Sequence, residues 1–187
     1  MRTLVFMKLI ALLTLLTASP EAPSNSWILS ALGAAEDQTT LGIGVAYANG
    51  TPSVDLRLLH GLTPRIGLDV EVATLGYAQL ARAGARLRIL DRDNLAVALR
   101  ASLFEGHDTH DVWVSAGPGA IASFGTAEVQ VSASVDLAVM LHETNAVAVR
   151  PAIGLEIPLD LGLALVVESG AIVTTLASPF FSAGVSW

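Results

Sequence analysis

The feature that most constrains this chain is a strict alternation of apolar and polar residues within successive short segments. It is clearest in AEVQVSASVDLAVML, residues 127–141. Valine and leucine occupy one parity of this segment, and the other parity is polar: Glu128, Gln130, Ser132, Ser134 and Asp136. Because successive side chains of a β-strand point to opposite faces, the segment predicts a strand with one apolar and one polar face.

Composition limits which of the two faces can meet water. Of the 187 residues, 52% are hydrophobic and 14% are charged, and the mean hydropathy is +0.60. Ordinary soluble domains carry about 25% charged residues, yet no apolar run after residue 17 reaches the roughly 20 residues of a membrane-spanning helix. The choice is therefore between a soluble protein with an unusually large core and a membrane β-barrel. The absence of cysteine excludes disulfides and thiolate metal sites.

The N-terminus predicts export. Arg2 and Lys8 flank or precede an apolar run that is followed by small residues, which is typical of a secretory signal peptide over residues 1–19. The cleavage point is open, because the small residues at 33–35 also fit the cleavage rule; a buried N-terminal helix is the alternative. Residues 20–37 are predicted to be a periplasmic lead or tether, with a plug helix as the less favoured interpretation.

The charge balance excludes one class of partner. Removal of Arg2 and Lys8 leaves eight of the ten basic residues against 17 acidic ones, a net charge of −9. A chain this acidic is a poor partner for nucleic acid.

From Thr39 to the C-terminus the alternation recurs in ten segments, which predicts ten strands. Alternate connections are uniformly short (GLTPR, LDRDN, FGTAE and LDLG), and the others are freer. Tight turns at one rim and looser loops at the other are typical of an up-and-down barrel with both termini on one side. We therefore predict an all-β fold, a closed antiparallel transmembrane barrel over residues 38–187 with about ten strands, eight being the alternative.

The polar parity of these segments is better suited to an interior than to an exposed surface. No lysine follows Lys8, and the polar positions are mostly Gly, Ala and Ser with charges of both signs. The apolar parity would then face lipid. The charged residues predicted to form an interior network are Asp55, Arg57, Asp69, Glu71, Arg82, Arg86, Arg88, Arg100, Glu128, Asp136, Arg150, Glu156 and Glu168.

Three functions are open: two require a polar interior, and the third requires the apolar parity to face inward. Arginine–carboxylate pairs, expected above all between strands three and four, would close the barrel in a structural or adhesive protein. Alternatively, the small residues Gly42, Gly44, Ala46, Ser132 and Ser134 would leave a narrow passage for small solutes. In the third interpretation the protein is a secreted soluble barrel whose apolar parity lines a cavity for a small apolar ligand.

The dyad strands, the GLTPRIGL segment at 61–68 and the terminal FFSAGVSW resemble the small bacterial outer-membrane β-barrel proteins, over residues 39–187. The resemblance implies an outer-membrane location, contact with outer-membrane lipid and a monomeric barrel. It also implies that the alternating C-terminal strand with its aromatic last residue is read by the barrel-assembly machinery. Phe181, Val185 and Trp187 carry that signal in this chain.

Catalytic or metal chemistry would have to come from the freer loops. EGHDTHD offers His107, Asp108, His110 and Asp111 as metal ligands or bases, but a short polar loop lacks the rigid support that such a site needs. HETNA, residues 142–146, resembles the His-x-Ser-Asn motif of outer-membrane lipid A deacylases, with Thr144 in place of the serine. A lipid-modifying enzyme is therefore only an alternative; we predict no catalysis, no cofactor and no metal.

Overall fold

The alternating segments form ten antiparallel β-strands. The protein is described by a computed structural model, which covers residues 31, 33–48, 51–75, 78–107, 112–140, 147–173 and 177–187. The strands are β1 (Thr39–Ala48), β2 (Thr51–Gly61), β3 (Ile66–Leu75), β4 (Ala78–Arg92), β5 (Leu95–His107), β6 (Val112–Gly125), β7 (Gln130–Met140), β8 (Val147–Pro158), β9 (Ala164–Val173) and β10 (Ala177–Ser186). A single turn of 3₁₀ helix, Asp160–Gly162, precedes β9.

The strands close into a barrel in which each strand pairs with its neighbours in sequence and β1 pairs with β10. At this seam Gly42 lies opposite Ser186. The backbones of Leu41 and Trp187 exchange two hydrogen bonds of 2.9 Å, so the last residue of the chain takes part in the closure. The predicted closed all-β barrel is confirmed with ten strands, and the eight-strand alternative is wrong.

The short turns, the start of β1 and the C-terminal Trp187 lie at one end of the barrel, which we call the turn end; the other is the loop end. Each turn has its own local support. Thr63 Oγ1 accepts hydrogen bonds from the backbone N–H groups of Arg65 and Ile66. Asp93, in the two-residue turn before β5, has a φ of 41°, a left-handed conformation that Asp tolerates better than most residues. The longer connections at the loop end fall outside the described residues.

The two faces of the barrel wall differ as the alternation requires. The apolar parity points outward: Val70, Leu99 and Ile153 are 43%, 48% and 63% exposed, respectively. The polar parity points inward, where Asp55, Asp69 and other charged residues are buried. The interpretation as a soluble barrel with an apolar ligand cavity is therefore wrong, because the interior holds the charged parity.

The strands depart from the simple alternation at two places, one at a boundary and one inside a strand. The alternation begins at residue 127, but β7 begins at Gln130 because Thr126 starts a turn, in which its N–H donates to the Val129 carbonyl. Pro118 lies within β6 and is paired with Ala101 of β5. On its other side, β6 pairs with β7 at residues 116 and 119 in the same register, and the pairing is interrupted at residues 117 and 118. Such an interruption is expected of a proline inside a strand.

The last part of the lead, Ala31 and Gly33 to Gln38, enters the barrel at the turn end; we call it the mouth segment. Ala31 is fully buried against interior side chains of β5 and β6, and its N–H donates to Ser123 Oγ at 2.7 Å. The Asp37 N–H donates to the Gly61 carbonyl at 2.8 Å. This part of the predicted tether therefore contacts the barrel interior rather than hanging free of it.

The signal peptide predicted for residues 1–19, and the lead as far as residue 30, lie outside the described residues. Within the described part of the chain, no helix has the length and apolar character needed to cross a bilayer.

The seam makes a prediction about Trp187. Deletion of this residue removes both backbone hydrogen bonds to Leu41 and takes away the aromatic residue that ends the predicted assembly signal. We expect less folded barrel in the outer-membrane fraction, measured by immunoblot of unheated and heated samples. Trp187→Phe keeps the backbone and an aromatic ring, so it should retain normal levels. An unchanged amount of folded barrel in the deletion variant would refute the role of Trp187 in assembly.

Candidate functional site: the charged interior

Ten charged side chains meet in the middle of the barrel, and we call them the interior network. Five are arginines and five are carboxylates, so the network has no net charge. Nine of the ten residues are buried, and Arg150 is partly buried. The members are Asp55, Arg57, Asp69, Glu71, Arg82, Arg86, Arg100, Asp136, Arg150 and Glu168.

Arg57 on β2 connects the largest number of carboxylates. Its guanidinium lies 2.7 Å from Asp55, 3.3 Å from Glu71 on β3 and 2.9 Å from Glu168 on β9. Glu168 in turn lies 3.6 Å from Arg150 on β8. One planar cation thus joins three strands, a geometry for which the five donors of arginine are suited and the point charge of lysine is not.

A second group lies between β3 and β4, where the sequence pattern predicted pairing. Arg82 Nη2 donates to Asp69 at 2.8 Å, and Arg82 Nε lies 3.3 Å from Glu71. Arg86 lies 3.7 Å from the other oxygen of Asp69. Since Glu71 also contacts Arg57, the two groups form one continuous chain of alternating charge.

Arg100 on β5 and Asp136 on β7 form a two-pronged pair across the intervening strand β6. Arg100 Nε donates to Asp136 Oδ1 at 3.0 Å, and Nη2 donates to Oδ2. The residue of β6 that lies between them in the register is Gly119. A Cβ at this position would overlap Asp136 Oδ1, so the glycine provides the space in which the carboxylate lies.

Small residues provide the space for the other pairs as well. A Cβ on Gly84 would lie 2.9 Å from Asp69 Oδ1, and one on Gly44 would overlap Asp55. Between Arg57 and Glu168 stand β1 and β10, whose interior residues along this path are Gly42, Gly44, Ser182 and Gly184. Gly42 and Gly44, two of the small residues that suggested open space in the sequence, therefore lie beside charged side chains that occupy this space.

Two phenylalanines lie above the network toward the loop end. The guanidinium of Arg150 is 4.7 Å from the ring centre of Phe180, and that of Arg82 is 5.9 Å from the ring centre of Phe104. Both rings are buried. Contact with an aromatic face stabilises a cation away from water. Phe104 was not singled out in the sequence; its place on the polar parity, between Ser102 and a loop, was the available signal.

The described residues leave little room at the level of the network. A cavity of about 10 Å³ lies among members of the network, Ser134 and Ala152, and this is the size of a single water molecule. A much larger cavity, of about 530 Å³, lies at the turn end among β5–β9 and their turns; we call it the mouth cavity. The barrel therefore has a wide mouth at the turn end and a charged constriction in its middle.

Three predicted members lie away from this network. Arg88 is near the turn end, 2.7 Å from the half-exposed Asp91. Glu156 is buried and lines the mouth cavity. The prediction was wrong for Glu128, which is exposed in the β6–β7 turn because β7 begins two residues later.

The loop candidates cannot be placed in the same way. Asp108, His110 and Asp111 lie outside the described residues, as does the HETNA segment with Thr144; for His107 only the backbone is described, at the end of β5. Within the described ranges, no group of three or more His, Asp or Glu side chains is arranged to hold a metal ion. Phe181, Val185 and Trp187 follow the outward parity of β10, and their role in assembly stays a prediction.

Arg57 is the residue whose loss should cost most. Replacement by leucine leaves Asp55, Glu71 and Glu168 without their shared cation, and uncompensated buried charge costs about 3–5 kcal/mol. We expect the free energy of unfolding in detergent, measured by urea titration, to fall by that amount. Arg88→Leu is the control, because its partner Asp91 is 51% exposed and such pairs contribute at most about 1 kcal/mol. Equal losses of unfolding free energy in the Arg57→Leu and Arg88→Leu variants would contradict the role of Arg57 as the shared cation.

Gly119 should be intolerant of a methyl group. Gly119→Ala pushes the Asp136 carboxylate away from Arg100 and should lower the free energy of unfolding by about 1–3 kcal/mol. Gly67→Ala is the comparison: its added Cβ would meet the His60 carbonyl oxygen at 3.3 Å, a tight contact that needs only a small shift, so a smaller loss of stability is expected. The same urea titration checks both, and a neutral Gly119→Ala would show that the carboxylate does not depend on this space.

Comparison with known proteins agrees with the barrel. No protein-family model matches the sequence, and the search of curated proteins finds no match. Among solved structures, the chain is similar to the KdgM porin, with 11% identity, a TM-score of 0.52, and coverage of 79% of this chain and 98% of that one. It is also similar to the KdgM porin in complex with disordered oligogalacturonate, with 12% identity, a TM-score of 0.55 and the same coverage. At these identities the likeness extends to the fold: this chain has the barrel fold of a bacterial porin.

Proposed function

We propose that the protein is a small bacterial outer-membrane β-barrel whose interior is closed at rest by the interior network, and that it serves the envelope without catalysis. The observation that carries this proposal is the cavity of about 10 Å³ at the level of the network. It admits one water molecule and no larger solute. Barrels of about eight strands are normally filled by side chains, whereas open channels need around 16, and ten strands lie near the filled limit.

The outward face supports the membrane part of the proposal. Valine, leucine and isoleucine cover the outside of the wall, and the chain has no lysine after Lys8. In a bilayer every backbone polar group must be paired within the protein, and the closed β1–β10 seam meets that demand. With the usual orientation of such barrels, the turn end faces the periplasm and the loop end the cell exterior.

Passage of small solutes is the second candidate, and the mouth cavity of about 530 Å³ is what favours it. A solute that entered there would meet the interior network and could pass only if ion pairs separated. Channels that select for charge present rings of one sign, whereas this network is balanced. For that reason the oligogalacturonate bound by the similar porin is not proposed as a ligand here.

Planar-bilayer conductance of the refolded protein tests the proposal. We expect silence from the wild type. The double variant Arg100→Ala, Asp136→Ala removes both members of one pair beside the central cavity, so it should give discrete current steps. The control is Arg88→Ala, Asp91→Ala, which removes a pair at the rim and should stay silent.

If the wild type gave current steps equal to those of the Arg100→Ala, Asp136→Ala variant, the barrel would be open at rest, and passage of small solutes would be the better function. The membrane assignment is checked separately, by fractionation. Folded protein recovered in aqueous buffer without detergent would contradict it, because the apolar outer face would then be in water.

A further inference from the structure

The turn between β8 and β9 carries a leucine in a backbone conformation that leucine rarely adopts. Leu161 has a φ of 67° and a ψ of 24°, in the left-handed helical region, and the residue is 95% exposed. In that region the Cβ comes close to the following carbonyl oxygen, which only glycine avoids fully and which asparagine and aspartate tolerate better than other residues. Leu161 therefore combines backbone strain with an apolar side chain that stands almost clear of the protein.

The other three turns at the turn end expose charged residues instead. Arg65 lies in the turn between β2 and β3, Asp93 in the turn between β4 and β5, and Glu128 in the turn between β6 and β7, and all three are exposed. Asp93 has a left-handed backbone as well, with a φ of 41°, and meets this demand with a side chain that prefers water. The leucine at position 161 is therefore not a requirement of the turn geometry.

Leu161 continues the apolar outer face of the wall. Ile157 of β8 is paired with Leu165 of β9 on the outward parity. One step farther along, the Leu159 N–H donates to the Leu163 carbonyl at 2.8 Å, and Leu161 lies at the tip between them. On this side of the barrel the apolar surface of the wall therefore extends to the tip of the turn.

The length of β8 places this tip at the edge of the hydrocarbon layer. Val147 is the first outward residue of the strand, and Leu159 is the last residue of that parity before the turn. At about 3.4 Å per residue and a tilt of about 45°, the distance between them is roughly 29 Å along the membrane normal. The hydrocarbon core of a bilayer is about 30 Å thick, so residue 161 falls where acyl chains meet headgroups.

We propose that Leu161 enters the boundary between acyl chains and headgroups of the adjacent lipid leaflet and anchors the β8–β9 side of the barrel there. Moving the side chain from water into lipid is favourable, and this gain offsets the strain of the left-handed backbone. With the turn end toward the periplasm, the leaflet is the one on the periplasmic side. The inference rests on the membrane location in the proposed function and is independent of whether the interior is closed.

Quenching of a fluorophore at residue 161 tests the contact directly. The chain has no cysteine, so Leu161→Cys, Asp93→Cys and Leu99→Cys each give one site for an NBD maleimide. The labelled proteins are folded into vesicles of phosphatidylethanolamine and phosphatidylglycerol, and folding is checked by the heat-dependent gel shift. We expect the dye at residue 161 to be quenched several-fold more by lipids that carry a nitroxide high on the acyl chain than by iodide on both sides of the vesicle.

The two other sites are the controls. Asp93 is exposed at the same end of the barrel and should give the reverse order of quenching, whereas Leu99 lies on the outer wall and should be quenched by the lipid nitroxide. A dye at residue 161 that behaves like the dye at residue 93 would overturn the anchor, whether the tip is bare or serves a protein in the periplasm. Loss of lipid quenching at residue 99 as well would mean that the membrane location itself is wrong.

Leu161→Asn gives a second test, in which the sign of the change decides. Asparagine adopts the left-handed conformation more easily than leucine and removes the apolar side chain. If the tip lies in lipid, the midpoint of urea unfolding from the same vesicles should shift to lower urea. Leu161→Met keeps an apolar side chain and should retain the wild-type midpoint. A midpoint that rises or stays unchanged in Leu161→Asn would overturn the anchor, because relief of strain without loss of lipid contact is the result expected in water.

Discussion

Closure of the wall is the constraint on which the rest of this structure depends. Pairing of β1 with β10 leaves no free strand edge, and it sets the width of the interior at ten strands. At that width arginine and carboxylate side chains from β2, β3, β8 and β9 reach one another. A wider barrel would leave the same charges hydrated and apart; a narrower one would not hold ten of them. The interior network therefore follows from the strand number as much as from the residues.

Much of the fold could be predicted from the sequence because a strand has a period of two and this chain keeps that period nearly throughout. Parity alone placed Asp55, Arg82 and Glu168 inside and Val70 outside. It failed for Glu128, since parity continues smoothly into a turn and does not mark where Gln130 begins the strand. Boundaries depend on local turn bonds such as that of Thr126, which alternation does not report.

The site was less predictable because its geometry depends on register between strands. Gly119 looks like free space in the sequence, and only the pairing of β5, β6 and β7 shows that it lies between Arg100 and Asp136. The same holds for Phe180, which lies over Arg150 from a strand two positions around the barrel. The position of the mouth segment could not be predicted, because its bonds to Gly61 are made by backbone groups and leave no repeated side-chain pattern in the sequence.

The bond between Arg57 and Glu168 joins residues 111 positions apart in the chain. Contacts of such long range form late, because the intervening chain must first be brought together. An incomplete wall, in which the strands that carry the partners have not yet come together, leaves Arg57 without Glu168 and Arg100 without Asp136. The completed charge balance exists only in the finished wall. Because β1 and β10 lie between Arg57 and Glu168, closing the seam and pairing these charges are one event, and a barrel left open there would hold an arginine and a carboxylate apart.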